Sequence, residues 1–293
     1  MKHYLEFIAV KILSKIVISL PWKVNYWLAN RLGEISYLFL AKRRRLTIDN
    51  LKQAFQAQYT DKQIKQLAIN TFRNFGKSMI EFISLPKINK DNVDKFVTIK
   101  GLENLQMAKK EGKGVIILSS HLGNWEIMAK ALILKGYPLT IMVRRQRNKL
   151  VEELIEQQRN ESKVKTIPHT IAPKEILRLL KNNEIIGMIA DQDGGKKGVF
   201  VNFFDRPAST AIGPVVFAIR SGTTLIPLFD IRQKNNRHQI IIETPYQLIT
   251  TSDIKKDIVD NTEILTKKLE SYIRQYPDQW FWLHNRWATK PKP

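Results

Sequence analysis

GVIILSSHLGNWE, residues 114–126, is the stretch on which the fold of this chain turns. Val115 to Leu118 is an unbroken apolar run, the pattern of a strand buried on both faces, and it stops abruptly at Ser119, Ser120 and His121. In open α/β sheets ligands lie beyond the carboxyl ends of the strands, so a histidine just past such a strand stands where chemistry is done. With Glu126 it forms a candidate acid/base pair. Residues five apart on a helix point roughly 140° away from each other, so the two meet only if the chain between them is not helical. Gly123 permits a tight turn and Asn124 is a good N-cap. The spacing therefore predicts strand, turn, and a helix starting near Trp125 with Glu126 in its first turn. A histidine that merely caps the turn is the plainer alternative.

Outward from this stretch the same change of period repeats. Strands are expected at Phe96–Lys100, Val115–Ser119, Leu139–Val143, Ile185–Ala190, Thr224–Phe229 and Gln239–Glu243. Helices are expected between and after them at Leu102–Glu111, Trp125–Lys135, Leu150–Ser162, Pro173–Lys181, Gly213–Arg220 and Ile254–Gln275. Such alternation implies an α/β core with a mainly parallel or mixed sheet flanked by helices. Residues 1–90 read instead as a helical N-terminal part. No Gly/Pro/Ser-rich linker separates it from the α/β part, residues 91–293, so the two are expected to share one core.

That N-terminal part carries membrane signals. Tyr4 to Leu20 is apolar but interrupted by Glu6, Lys11 and Lys15. This is marginal for a span, which needs about 20 mostly apolar residues, and suits an amphipathic helix lying on a bilayer with its lysines snorkelling. It does not read as a cleaved signal peptide, because Glu6 sits in the would-be basic start and no small-x-small site follows. A second helix, Trp22 to Leu40, places Lys23, Asn30, Arg31 and Glu34 on one side and keeps Trp22, Trp27, Tyr37 and Phe39 among its apolar residues. The run AKRRR, residues 41–45, follows at once and completes a two-signal attachment to an anionic membrane surface. Further helices are expected at Leu46–Gln58 and Asp61–Ser84, the latter opened by a capping box of Thr60 and Gln63.

The charge balance is the compositional outlier: 48 Lys+Arg against 27 Asp+Glu give a formal +21. An anionic partner follows, whether nucleic acid, anionic lipid, an acidic protein or a phosphorylated substrate. No zinc-finger spacing, helix-turn-helix pattern or RNA-binding aromatic signature is present, so a nucleic-acid reading would rest on charge alone. With no cysteine, disulfides, thiolate metal sites and a cysteine acyl-enzyme are excluded.

Other candidate groups follow other strands. Arg144, Arg145 and Arg147 come after the third core strand and can hold a phosphate by bidentate hydrogen bonds, or form a solvated basic turn. ADQDGGKKGVFVNFF, residues 190–204, follows the strand ending near Ala190. Asp191 and Asp193 can be read as a D-x-D metal site of the glycosyltransferase sort; equally, Asp191 and Gln192 can position other groups by hydrogen bonds. A serine nucleophile is disfavoured, because Ser120 and His121 would point to opposite faces of an extended chain and no G-x-S-x-G elbow exists. His3, His169, His238 and His284 show no metal-ligand spacing and are expected to be structural or exposed.

Taken together these blocks support a family resemblance. HLGNWE resembles the H-x4-D/E block of the glycerolipid acyltransferase superfamily, and its glutamate form is similar to the late acyltransferases of lipid A biosynthesis, the lauroyl and myristoyl transferases. LPWKVNYWLANRLGEISYLFLAKRRRLTIDNL is similar to that family's N-terminal helices, VRRQRN resembles its Y-R-x-x-x-N block with Val143 in the tyrosine position, and YPDQWFWLHNRW resembles its terminal signature. DQDGGKKGVFVNFFDRPASTAIGP resembles its D-Q-x-x-G to P-A-x-T block, with Asp205 where the family usually has glycine. The similarity runs from about Leu20 to Trp287.

The resemblance implies a glycerolipid-acyltransferase-like fold with membrane-associated N-terminal helices. It implies an O-acyltransferase, without cofactor or metal, at the cytoplasmic face of the bacterial inner membrane. A fatty acyl group would move from acyl carrier protein or acyl-CoA to a hydroxyl of a lipid A precursor or a related glycolipid. His121 would be the general base and Glu126 its orienting carboxylate. Arg144 and Asn148 would bind phosphate, Asp191 and Gln192 would shape the site, and nucleic acid would not be a partner.

Overall fold

A computed structural model describes residues 2–55 and 58–291. Four helices open the chain: α1 (Lys2–Ser19), α2 (Trp22–Phe39), α3 (Ala41–Phe55) and α4 (Asp61–Ile83). The basic run expected as a connector is itself the first turn of α3, where Arg44 donates to the carbonyls of Tyr37 and Leu38 and so closes the end of α2. Gln56 and Ala57, in the expected helix Leu46–Gln58, lie outside the described residues. The capping box is formed: Thr60 accepts from the backbone of Gln63, whose side chain accepts from the backbone of Thr60.

After α5 (Val93–Phe96) the chain alternates: β1 (Val97–Lys100), α6 (Leu102–Lys110), β2 (Val115–Ser119), α7 (Trp125–Leu134), β3 (Leu139–Val143), α8 (Lys149–Glu161), β4 (Lys165–Pro168), α9 (Pro173–Lys181) and β5 (Ile185–Ile189). A hairpin of β6 (Val199–Phe203) and β7 (Arg206–Thr210) precedes α10 (Gly213–Ser221), β8 (Thr224–Arg232), β9 (His238–Ile242) and α11 (Ile254–Gln275). Among the described residues one seven-stranded sheet runs β1-β9-β8-β2-β5-β3-β4, parallel throughout except for the antiparallel pair β8/β9. The fold is thus α/β with a mixed, mostly parallel sheet flanked by helices.

The apolar run of β2 sits in the middle of that sheet and is covered on both faces. Val115 and Ile117 enter the cluster built with Leu105, Ile127 and Leu132, whereas Ile116 enters the cluster of Ile176, Leu180, Val215 and Leu225. Each of these full burials is worth about 1.5–3 kcal/mol, so the register of β2 is firmly set. Set register fixes which residues emerge at its carboxyl end.

Three strands went unforeseen. β4 is short and half-exposed at the sheet edge, so its apolar signal is weak. β6 and β7 form a separate two-stranded ribbon whose loop residues Phe204 and Asp205 both have positive φ, as a two-residue type I′ turn requires. Asp205 thus occupies a left-handed turn position with its side chain in solvent. A third apolar cluster joins Leu51, Phe55 and Ile64 of α3 and α4 to Phe203, Phe204, Trp280 and Trp282. No described helix is long and apolar enough to cross a membrane.

Candidate active site

The sheet register builds the site. In the parallel pair β2/β5, Ser119 lies opposite Ile189, so His121 and Asp191, each two residues further on, emerge side by side at the carboxyl end. His121 Nδ1 lies 2.7 Å from one oxygen of Asp191, and the backbone N–H of His121 donates to the other oxygen at 2.7 Å. The indole N–H of Trp280 donates to that second oxygen, also at 2.7 Å. Burial pushes the Asp191 carboxyl up, but the imidazole charge and these hydrogen bonds outweigh it and hold the group below the usual carboxylate range. An ionised carboxylate only accepts, so Nδ1 carries the proton and Nε2 presents its lone pair, the tautomer a general base needs. Gln192 approaches that nitrogen with its side-chain amide at 3.4 Å.

The ring is held as well as oriented. Trp125 meets it edge-on at 4.7 Å between centroids, and Phe281 lies at 5.9 Å. The segment after α11 runs antiparallel beside the histidine turn, with Phe281 N–H donating to His121 O at 3.1 Å and Gly123 N–H to Gln279 O at 3.2 Å. A cleft of about 240 Å³ opens against His121 between Asn74, Phe75, Trp125 and Phe281. A second cavity, about 520 Å³ and mainly apolar, lies behind Asp191 between Val215, Phe229, Leu265 and Leu269.

Glu126 does not contact the imidazole, contrary to the expected pairing. The local geometry is as expected: Asn124 caps α7, accepting from Glu126 N–H at 3.1 Å and Ile127 N–H at 3.3 Å, and Glu126 lies in the first turn. Its buried carboxylate is turned to α8, where it accepts from Arg159 at 2.6 Å and 3.3 Å. Burial opposes the charge of Arg159, yet Glu126 and then Glu156 raise its affinity for the proton. The carboxylate on His121 comes instead from the neighbouring strand.

Asn148 is likewise committed elsewhere. It is the N-cap of α8, accepting from Leu150 N–H, and its amide donates to His3 O at 2.9 Å and Glu6 at 3.0 Å, tying α1 to α8 rather than facing a phosphate. Arg144 stands exposed after β3, open to an anionic group. Of the D-x-D pair, Asp191 accepts the three hydrogen bonds described and Asp193 accepts from the backbone and hydroxyl of Thr289. Among the described residues no group of three or more His, Asp or Glu side chains is placed to hold a metal ion. Ser120 is buried with a hydroxyl that finds no partner among the described residues.

Sequence reasoning missed Trp280, whose indole fixes Asp191, and His284, whose Nε2 accepts from Asp193 N–H at 3.0 Å. Both lie in YPDQWFWLHNRW, and the density of aromatics there was the available signal. His238, expected to be structural or exposed, is buried within a charged cluster beneath the same turn.

A buried carboxylate thus holds a histidine at the carboxyl end of a mostly parallel sheet, the end at which open α/β sheets carry their ligands. The chain belongs to the bacterial lipid A biosynthesis acyltransferase family, whose model matches residues 1–289, and it is an O-acyltransferase. It is 26% identical over 279 residues to the lipid A biosynthesis palmitoleoyltransferase of Escherichia coli strain K12, covering 94% of this chain and 88% of that one. The lauroyltransferase of the same organism is 23% identical over 293 residues, 99% of this chain and 94% of its own. A phosphatidylinositol mannoside acyltransferase of Mycobacterium tuberculosis strain H37Rv is 24% identical over 229 residues, 75% of this chain and 69% of its own.

Proposed function

We propose that the chain moves a fatty acyl group from the thioester of acyl carrier protein or coenzyme A to a hydroxyl of a lipid A precursor. His121 Nε2 takes the hydroxyl proton as the oxygen attacks the thioester carbonyl. The C–O bond forms, the C–S bond breaks, and the proton passes from Nε2 to the departing thiolate, returning the ring to neutrality. Asp191 holds the ring in the working tautomer and stabilises its charged form. Gln192 braces the Nε2 side, Glu126 steadies the first turn of α7 through Arg159, and Arg144 binds phosphate of the acceptor or of the donor's phosphopantetheine. The observation that carries this reading is the 2.7 Å contact from His121 Nδ1 to the buried Asp191, on a histidine that lines a cleft. The apolar cavity behind Asp191 suits an acyl chain, and a net charge of +21 suits acidic carrier protein and anionic lipid.

The helical residues 1–90 work with the α/β residues 91–293 as one unit that lies on the cytoplasmic face of the inner membrane. Trp27, Leu38 and Phe39 of α2 are 62%, 62% and 80% exposed, and Lys42, Arg43 and Arg45 follow along α3. An apolar face edged by cations is the arrangement that seats a helix at an anionic interface.

Purified chain in vesicles, given acyl carrier protein and acyl-CoA donors with a lipid A precursor, is expected to form the acylated product without added metal. His121→Ala is expected to lose about 100- to 10,000-fold in turnover. Near-normal turnover by that variant would show the base assignment to be wrong. Acylation of a phosphatidylinositol mannoside but not of the lipid A precursor would move the proposal to another glycolipid acceptor.

A further inference from the structure

The turn that carries His121 is anchored from below by ionic groups that take no part in the chemistry proposed above. In the pair β2/β8, Leu118 lies opposite Pro227, so Asp230 and His121, three residues further along each, sit level across the sheet from one another. Asp230 accepts the backbone N–H of Asn124 at 2.6 Å, and Glu81 of α4 accepts the Asn124 side-chain amide at 2.8 Å. The hydroxyl of Ser78, one turn before Glu81, lies 3.1 Å from both Gly123 O and Asn74 O and accepts from Arg232 at 3.1 Å. Gly123 has φ +66°, and a Cβ there would lie 2.2 Å from Asp230 O and 2.6 Å from its carboxylate, so the turn rests directly on Asp230.

Asp230 and Glu81 are themselves fixed. His238 Nδ1 lies 2.6 Å from Asp230, its Nε2 lies 3.3 Å from Glu81, and both guanidinium nitrogens of Arg232 reach Glu81. All four side chains are buried. Burying such a set costs several kcal/mol per ion, and apolar residues of the same volume stabilise a fold as well or better. What an apolar plug cannot do is accept the two hydrogen bonds that Asn124, three residues past the base, gives from its backbone and its side chain.

We propose that Glu81, Arg232, His238 and Asp230 are positioning residues that fix the height and pitch of the His121 turn and so set the distance from Nε2 to the acceptor hydroxyl. This rests on the reading of His121 as the base. Asp191 would control the ring's tautomer and this cluster the place of the backbone beneath it.

The test is steady-state acyl transfer by the full chain in vesicles for Asp230→Asn, Ser78→Ala and His121→Ala, at a temperature where circular dichroism shows each folded. Asp230→Asn replaces the one anionic oxygen that accepts from both Asn124 N–H and His238 with a weaker neutral acceptor, removes the counter-charge to His238 and Arg232, and so loosens the turn. Its kcat is expected to fall about 100-fold, as a misplacement near 1 Å does, with KM for both substrates within about threefold. The pH at which activity falls off on the acid side stays put, because the contact with Asp191 is untouched. Ser78→Ala removes one hydrogen bond to the turn and is expected to lower kcat about tenfold, about 1.4 kcal/mol. A kcat within about threefold of wild type in folded Asp230→Asn overturns the inference, and so does a loss carried by KM. Where Asp230→Asn does not fold, Ser78→Ala decides by the same criterion. Near-normal turnover by His121→Ala removes the base and the positioning role together, whereas an inactive His121→Ala beside a normal Asp230→Asn removes the positioning role alone.

Discussion

Asp191→Asn separates the strand-borne carboxylate from the motif-borne one. Asp191 accepts three hydrogen bonds, two on one oxygen from His121 N–H and Trp280 and one on the other from His121 Nδ1. An asparagine satisfies the first pair by placing its single carbonyl oxygen there, which leaves its amide nitrogen facing Nδ1. The amide then donates to Nδ1, the imidazole proton moves to Nε2, and the base is lost to the wrong tautomer. Substitutions of this kind in a His–Asp pair cost about 10,000-fold in kcat, or about 5 kcal/mol at 1.36 kcal/mol per decade. Substrate sites are untouched, so KM is expected to stay within about threefold. The assay is acyl transfer across pH 5 to 10 with thermal unfolding measured beside it. A folded Asp191→Asn within about tenfold of wild-type kcat would refute the dyad as drawn.

Three further outcomes follow from the same contacts. Glu126→Gln leaves Arg159 without its principal buried partner and is expected to cost about 3 kcal/mol in thermal or denaturant unfolding, while the pH profile of the remaining activity keeps the wild-type acid limb. Asn148→Ala removes a helix cap and the tie to α1, lowering stability by about 1 kcal/mol with the acceptor KM within about twofold; a KM rise of tenfold would restore the phosphate-binding role. Burial pulls the His238 imidazole down, but Asp230 and Glu81 outweigh it and raise its pKa to about 9. Its folded value exceeds the unfolded one, so its contribution of about 3 kcal/mol is complete below pH 6.5 and is lost as pH rises through about 9. Unfolding of wild type across that window should show the decline, and His238→Gln should show it flattened.

Much of this was written in local sequence. The apolar run of β2, Gly123 and the Asn124 cap specify strand, turn and helix by chemistry that acts within a few residues, and the helices from Leu102 onward follow from an apolar period of the same kind. Edge strand β4 and the ribbon β6/β7 were not legible, because one buries little and the other is set by a turn of two left-handed residues that carry no glycine. The contacts of Asn148 and Glu126 were not legible for another reason. What each touches depends on where α1 and α8 pack, and packing between distant elements leaves no trace in spacing.

The same point explains which carboxylate reaches the histidine. A base at the end of a strand needs its partner within hydrogen-bonding reach and on a rigid support. A residue five places later on its own chain has already entered the next helix, and a helix start aims its side chains along its own flank. A neighbouring parallel strand that ends level with the first, or runs on past it, brings its residues to the same height with the whole sheet behind them. Here β5 delivers Asp191 on one side of β2 and β8 delivers Asp230 on the other, one to the imidazole and one to the backbone of the turn. The histidine is thus set from both neighbours of the central strand. Glu126, the residue that makes the motif recognisable, braces α7 against α8 from outside that row.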